Sequence, residues 1–307
     1  MMRMADGRAD ERADARADAQ YPDDFAATSF PPRYRITLCS SIRSEFARLR
    51  HSPLIPLHLA LALALGSALG MYFGATGWNP LLSCDAFFQL LGAGAPLLVG
   101  LSCGLAIDAE REAGEYANLL GASSRRLAIA AKGIVLLAMG ALAAALAAVL
   151  FCGILTACGK SLPALSSLAQ ATLAIAAGSA SLYVLSLAVA LKWGRNASIG
   201  LGAIGLLAAL SSIGGLMNGL VTGTLSGAMP AGPLAFIPFA WPCKLASLCV
   251  ELAIAGSDGV VNGAAQMPAI SGSLAMIACA CAAVTFVLIA GALVCVNRFE
   301  DVRRSED

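Results

Sequence analysis

The chain has 307 residues, 58% of them hydrophobic and only 13% charged, and its mean hydropathy is +0.77. Soluble domains carry roughly 25% charge, so this composition excludes an ordinary soluble enzyme. A net charge of +1 leaves no basic surplus for nucleic acid, and the information lies in where the charges sit.

Residues 1–32 repeat Ala with alternating Arg and Asp/Glu and then meet Pro22, Pro31 and Pro32. The stretch has no apolar periodicity and reads as a disordered extension. It lacks the apolar run of a cleavable signal peptide. Residues 33–53 follow as an interfacial amphipathic helix. Cys39, Ile42, Phe46 and Leu49 fall near one helical face, while Arg43, Ser44, Glu45 and Arg48 take the other, and such a helix lies in the plane of the membrane interface.

Six long charge-free runs come next, each long enough for the roughly 20 apolar residues that a spanning helix needs. They predict helices over Leu54–Phe73, Ala86–Ile107, Ile134–Ala157, Ala164–Leu191, Ala197–Val221 and Ser273–Val296. Six spans place both termini on one side, together with 18 of the 20 basic residues. Only Lys160 and Lys244 fall opposite, so the positive-inside rule makes the termini and the tail 298–307 cytoplasmic. The expected fold is therefore all-α and polytopic in the cell membrane, with a six-helix domain over 54–297. Between the fifth and sixth spans, about Thr222–Leu252 is apolar but broken by Pro230, Pro233, Pro238, Pro242 and several glycines. It reads as short re-entrant or interfacial helices on the outer side, against the alternative of a plain exterior loop.

Small-residue spacing recurs in Gly66/Gly70/Gly74 and Gly215/Gly219/Gly223, which permits close helix approach or is glycine simply tolerated in a membrane helix. His51 and His58 flank or enter the first span and read as interfacial or packing residues. Cysteines within spans behave as small hydrophobes. Cys84, Cys158, Cys243 and Cys249 sit toward the outer face, where a bridge is open but its connectivity is not set. Gly159-Lys160-Ser161 lacks the upstream glycine of a phosphate-binding loop, since Ile154 stands there. No metal or catalytic motif appears, and no catalytic residue or cofactor is expected.

The six spans as drawn contain no Asp, Glu, Lys or Arg. Ion-coupled carriers often keep such residues as relays, so energy for transport would come from a partner ATPase. The one sizeable cytoplasmic loop, Asp108–Lys132, puts Ala109, Ala113, Tyr116 and Leu120 on one helical face, with Arg111, Glu112 and Glu115 opposite. Arg111–Glu115 is an i,i+4 pair, Gly121 suits a C-cap and Ser124 an N-cap. This is either a short helix that fits a groove on a cytoplasmic partner or a solvated loop that fixes topology.

That loop resembles the coupling region of ABC-2 type export permeases, with its acidic Glu110-Arg111-Glu112 cluster, Gly114, Leu119-Leu120 and Arg125-Arg126 before Lys132. Arg43-Ser44-Glu45-Phe46, His51-Ser52-Pro53-Leu54, the stretch from Tyr72-Phe73 to Trp78-Asn79, and Phe236-Ile237-Pro238-Phe239-Ala240-Trp241-Pro242 are similar to the MutG-type permeases of lantibiotic protection. The resemblance covers about residues 40–300. It implies a partner ATPase that binds the ATP, a second permease subunit in a hetero- or homodimer, and a peptide substrate expelled from the membrane. It also implies that Glu110, Arg111, Glu112, Gly114, Leu119, Leu120, Arg125 and Arg126 meet the ATPase. An exporter of another cargo, drug or lipid, and a non-transporting membrane sensor or scaffold remain alternative readings.

Overall fold

The computed structural model describes residues 37–50, 52–113, 124–213, 216–228 and 232–304. These lie in one unit, Ile36–Asp307, and among them every regular element is helical. The helix expected at the interface is α1 (Leu38–Leu49). Four long helices follow: α2 (Leu54–Ala75), α3 (Pro80–Glu112), α4 (Arg125–Ala157) and α5 (Leu165–Trp193). Then come α6 (Arg195–Ser212), the short α7 (Leu216–Thr222), three single 3-10 turns, α8 (Trp241–Ile254) and α9 (Gly263–Arg304). The extension 1–32 lies outside the described residues.

Among the described residues five helices are long and apolar enough to cross a membrane: α2, α3, α4, α5 and α9 over Gly263–Cys295. The fifth expected span, Ala197–Val221, is not one helix. It is divided into α6 and α7, and Gly223 at φ +73° ends the run. The 18 residues of α6 begin with Arg195 and Asn196, which lower its hydropathy. Gly215 lies outside the described residues, and Gly223 serves a turn rather than a helix contact, its carbonyl accepting from Val261 N–H at 2.9 Å.

Helix ends also move outward from the charge-free runs. Asn79 caps α3 through its side chain and Pro80 opens it, so Asp85 is inside the helix and not before it. Ser124 caps α4, as its position suggested, by accepting from Leu127 N–H, and Lys132 is therefore helical. Asp85, Glu110, Lys132 and, in α8, Glu251 are all buried. The expectation that the membrane helices carry no ionisable residue is thus corrected. A charge ends an apolar run in sequence, but a helix continues through it where partners are at hand.

The first glycine stripe acts as its spacing suggests. A Cβ on Gly66 would stand 2.7 Å from the carbonyl oxygen of Ala147, and Gly70 and Gly74 press on Ile154 and Cys158 in the same way. Helix α2 therefore lies along α4 and touches α3 only sparsely. Helices α3 and α6 approach as closely at Gly100 and Gly202, where Ser198 Oγ donates to the Gly100 carbonyl at 2.9 Å. Small residues let backbones meet where lipid supplies no hydrophobic drive between helices.

The segment after α7 is packed, not a plain loop. Phe239 fills the space above Gly205 and Pro96, and the backbone of Trp241–Cys243 is wedged between Gly92 of α3 and Gly178 of α5. Gly92 is twelve residues into α3, about 18 Å along its axis. The chain thus dips to mid-depth, turns, and returns as α8, whose residues are buried nearly all round. Non-helical backbone at such depth needs protein around it, which α3, α5 and α6 provide. At the returning end, Glu251 accepts from Ser226 N–H at 2.6 Å and Gly227 N–H at 2.8 Å. Asp85 accepts from Ser247 Oγ at 2.6 Å and from Gln89 Nε2 at 2.7 Å. Phe87 stacks on Phe151 beneath them, with ring centroids 3.9 Å apart. All ten cysteines are free thiols, so no outer-face bridge forms.

Candidate functional site

The charged residues of one end of the bundle gather into two ion-pair clusters. Lys132, near the start of α4, places Nζ 2.8 Å from Glu45 of α1 and 3.0 Å from Glu110 of α3. Arg48 of α1 reaches the same Glu110 oxygen at 2.7 Å and Glu45 at 3.4 Å. The Lys132, Glu110 and Glu45 side chains are 8%, 7% and 14% exposed, so these charges are paired where unpaired charge is costly. Beside them Asp108 accepts from Arg195, the first residue of α6, at 2.7 Å, and lies 3.4 Å from Arg111. Four helices are thereby fixed to one another at the two roots of the α3–α4 connection.

Helix α1 is seated by this cluster. Thr37 and Ser40 form a capping box at its start, which satisfies end donors that would otherwise be orphaned. The expected division of its faces is only partly kept. Ile42 and Leu49 are half-buried, but Glu45 turns inward to Lys132 and Phe46 stays 66% exposed. An exposed Phe46 beside Leu38 and Cys39 gives the outward face an apolar strip, which suits a helix lying at a membrane interface.

The eight residues expected to meet an ATPase are not brought together as one surface. Arg111 and Glu112 are exposed at the end of α3. Glu110 is 6% exposed and its carboxylate serves Lys132 and Arg48, so the expectation that it faces water or a partner is corrected. Its position three residues beyond the apolar run that ends at Ile107 concealed that α1 folds over it. Arg125 is half-buried and Arg126 exposed in the first turn of α4. Gly114, Leu119 and Leu120 lie outside the described residues, as do Glu115, Tyr116 and Gly121. The anticipated Arg111–Glu115 pair is therefore not described, and Arg111 instead meets Asp108.

Sequence reasoning missed Glu45, Arg48, Asp108, Lys132 and Arg195 as members of one site. Their partners are 22 to 87 residues away in sequence, beyond the reach of helical periodicity. The one available signal was Lys132, a lone cation set against an otherwise apolar run. His58 is buried, as a packing residue should be, its Nδ1–H donating to the Leu54 carbonyl at 2.8 Å. Compared with family models and with curated proteins, the chain matches none.

Proposed function

We propose that this chain is the permease subunit of an ATP-driven exporter of the ABC-2 type, of the lantibiotic-protection kind, with both termini in the cytoplasm. The observation that carries the reading is the anchoring of both roots of the α3–α4 connection. A push delivered there is transmitted at once to α1, α3, α4 and α6 through ion pairs of 2.7 to 3.0 Å. ATP hydrolysis belongs to a separate cytoplasmic subunit, a second permease subunit completes the path, and the cargo is a membrane-inserted peptide. Arg111, Glu112, Gly114, Leu119, Leu120, Arg125 and Arg126 supply the docking surface.

Six crossings fit the way the helix ends meet. Arg195 at the start of α6 pairs with Asp108 at the end of α3. Gly223, past α7, meets Val261 and Gly259, and Gly259 stands against Asn79 at the start of α3. The α6–α7 pair thus runs from one end of the bundle to the other, and α9 sets out from the end where α3 begins. In a cysteine-free background, Asp258→Cys should react with an impermeant thiol reagent on intact cells, and Ser305→Cys should react only after lysis. Reaction of Ser305→Cys in intact cells would sink the six-span arrangement.

Docking is tested by Glu112→Lys, an exposed position outside both ion-pair clusters. Reversed charge at an interface typically costs several kcal/mol. Co-purification with the partner ATPase, and protection of cells against the peptide, should fall together while the melting temperature holds. Unchanged pull-down would withdraw the docking assignment.

A further inference from the structure

Helix α1 lies at the level where the apolar part of the bundle ends. Its Leu49 packs on the buried cluster that holds Leu54, Ile107 and Leu136. Glu45, one turn earlier, meets Lys132, the last charge before the charge-free run that opens at Gly133. Ile107 closes the charge-free run of α3 and Gly133 opens that of α4. A helix held against both residues runs along the headgroup layer, neither in hydrocarbon nor clear of the membrane.

The charges of this helix are sorted between its two sides. Glu45, the one acidic residue in 37–50, turns inward and is paired with Lys132 and Arg48. Arg43 and Arg50 do not join that network, and among the described residues neither meets an acidic partner. Cys39, Arg43, Phe46 and Arg50 recur at steps of four, three and four residues, which sets them along one side of a helix. Arg50 keeps helical φ and ψ as the C-cap, and all four residues are exposed. That side of α1 therefore carries two cations about 10 Å apart along the axis, an aromatic ring between them, and no acid.

We propose that this side of α1 binds the headgroups of anionic phospholipid, with the Phe46 ring at the acyl boundary and the Arg43 and Arg50 guanidiniums each holding a phosphate. A guanidinium matches a phosphate through paired N–H donors. A basic residue at an anionic membrane surface gains about a fivefold preference. A soluble acidic protein would pair with the two cations, but Phe46 on the same side stands at headgroup level, where lipid is the neighbour. The assignment requires only that the helices lie in a bilayer, so it stands or falls separately from the ATPase docking.

The test uses the full chain with Cys39 as its only thiol, carrying a fluorophore, in vesicles of equal phosphatidylglycerol and phosphatidylcholine. Bromine in the acyl chains of one lipid or the other serves as quencher, and the ratio of the two quenching signals gives the lipid preference. Phosphatidylglycerol should be preferred at Cys39 by about twentyfold, the product of two arginines. A fluorophore on Phe286→Cys, exposed on α9, should be quenched equally by both lipids. Arg43→Gln and Arg50→Gln should each lower the preference about fivefold and together abolish it, whereas lysine at both positions should keep most of it. Neither arginine is tied to another residue, so the melting temperature in detergent should hold across the set and show that the variants are folded. A double glutamine variant that keeps the preference, or a double lysine variant that loses as much as the glutamine one, would overturn the proposal. Equal quenching at Cys39 in the native chain, with ATPase co-purification lost in the double glutamine variant, would assign the face to a soluble partner and overturn it as well.

Discussion

Glu110→Lys is expected to destabilise the protein by about 4 kcal/mol, the range found when one partner of a buried pair is removed. The native carboxylate accepts from both Lys132 and Arg48 through one oxygen. The substitution removes that acceptor and brings a third cation beside the other two. Lys132 is 8% exposed, so water screens little of the repulsion, whereas Arg48 is 44% exposed and contributes less. Glu112→Lys, two residues on and exposed, should stay within about 0.5 kcal/mol of wild type. The charge swap Glu110→Lys with Lys132→Glu should recover part of the loss. Recovery is incomplete because residue 132 then faces Glu45 as a like charge. Melting temperatures of the four proteins in one detergent decide it, and equal melting of Glu110→Lys and Glu112→Lys would show that the cluster is no more than a surface arrangement.

Gly92→Leu should unseat the re-entrant segment at a cost of about 3 kcal/mol, the upper part of the usual range for overpacking. A Cβ there would stand 2.5 Å from the amide nitrogen of Cys243 and 2.7 Å from the carbonyl carbon of Pro242. Those are backbone atoms, so no rotamer change relieves the clash, and α8 must withdraw. Cys243 reports the withdrawal, since it is fully buried in the native protein. With Cys243 as the sole thiol, a membrane-permeant maleimide should leave the native protein unmodified and modify the variant. Gly94→Leu, two residues along the same helix, has open space and should leave Cys243 protected. A protected Cys243 in Gly92→Leu would mean that the wedge is not what holds α8 in place.

What was legible in the sequence followed from composition and short-range spacing. The Gly66/Gly70/Gly74 stripe announced the α2–α4 contact because three residues at helical spacing act on one neighbour. Ser124 announced the start of α4 because a cap is a local hydrogen bond. The prolines and glycines after Val221 announced a broken, packed segment, because an apolar sequence that cannot continue a helix must bury its backbone against something. Charge-free runs misplaced the helix ends for a different reason. Asp85 is held by Ser247, 162 residues away, and Lys132 by Glu45, 87 residues away. Nothing local distinguishes a charge that ends a membrane helix from one that a distant partner admits into it. The same distance hid Glu110, whose acidic neighbours made it look like part of a solvated face.

Helices α5 and α6 are joined by a single residue, Gly194, at φ +83°, a conformation that glycine adopts without strain. Their adjoining ends are therefore locked together as the hinge of a pair of compasses is. Neither helix can slide past the other, and the only relative movement left is a change in the angle between them. With α6 about 27 Å long, a swing of about 5° displaces its far end by roughly 2 Å while the hinge end stays still. That far end, at Ala209 and Ile213, packs on Ala240 and Cys243, so the largest excursion this corner permits falls on the tip of the chain that dips into the bundle.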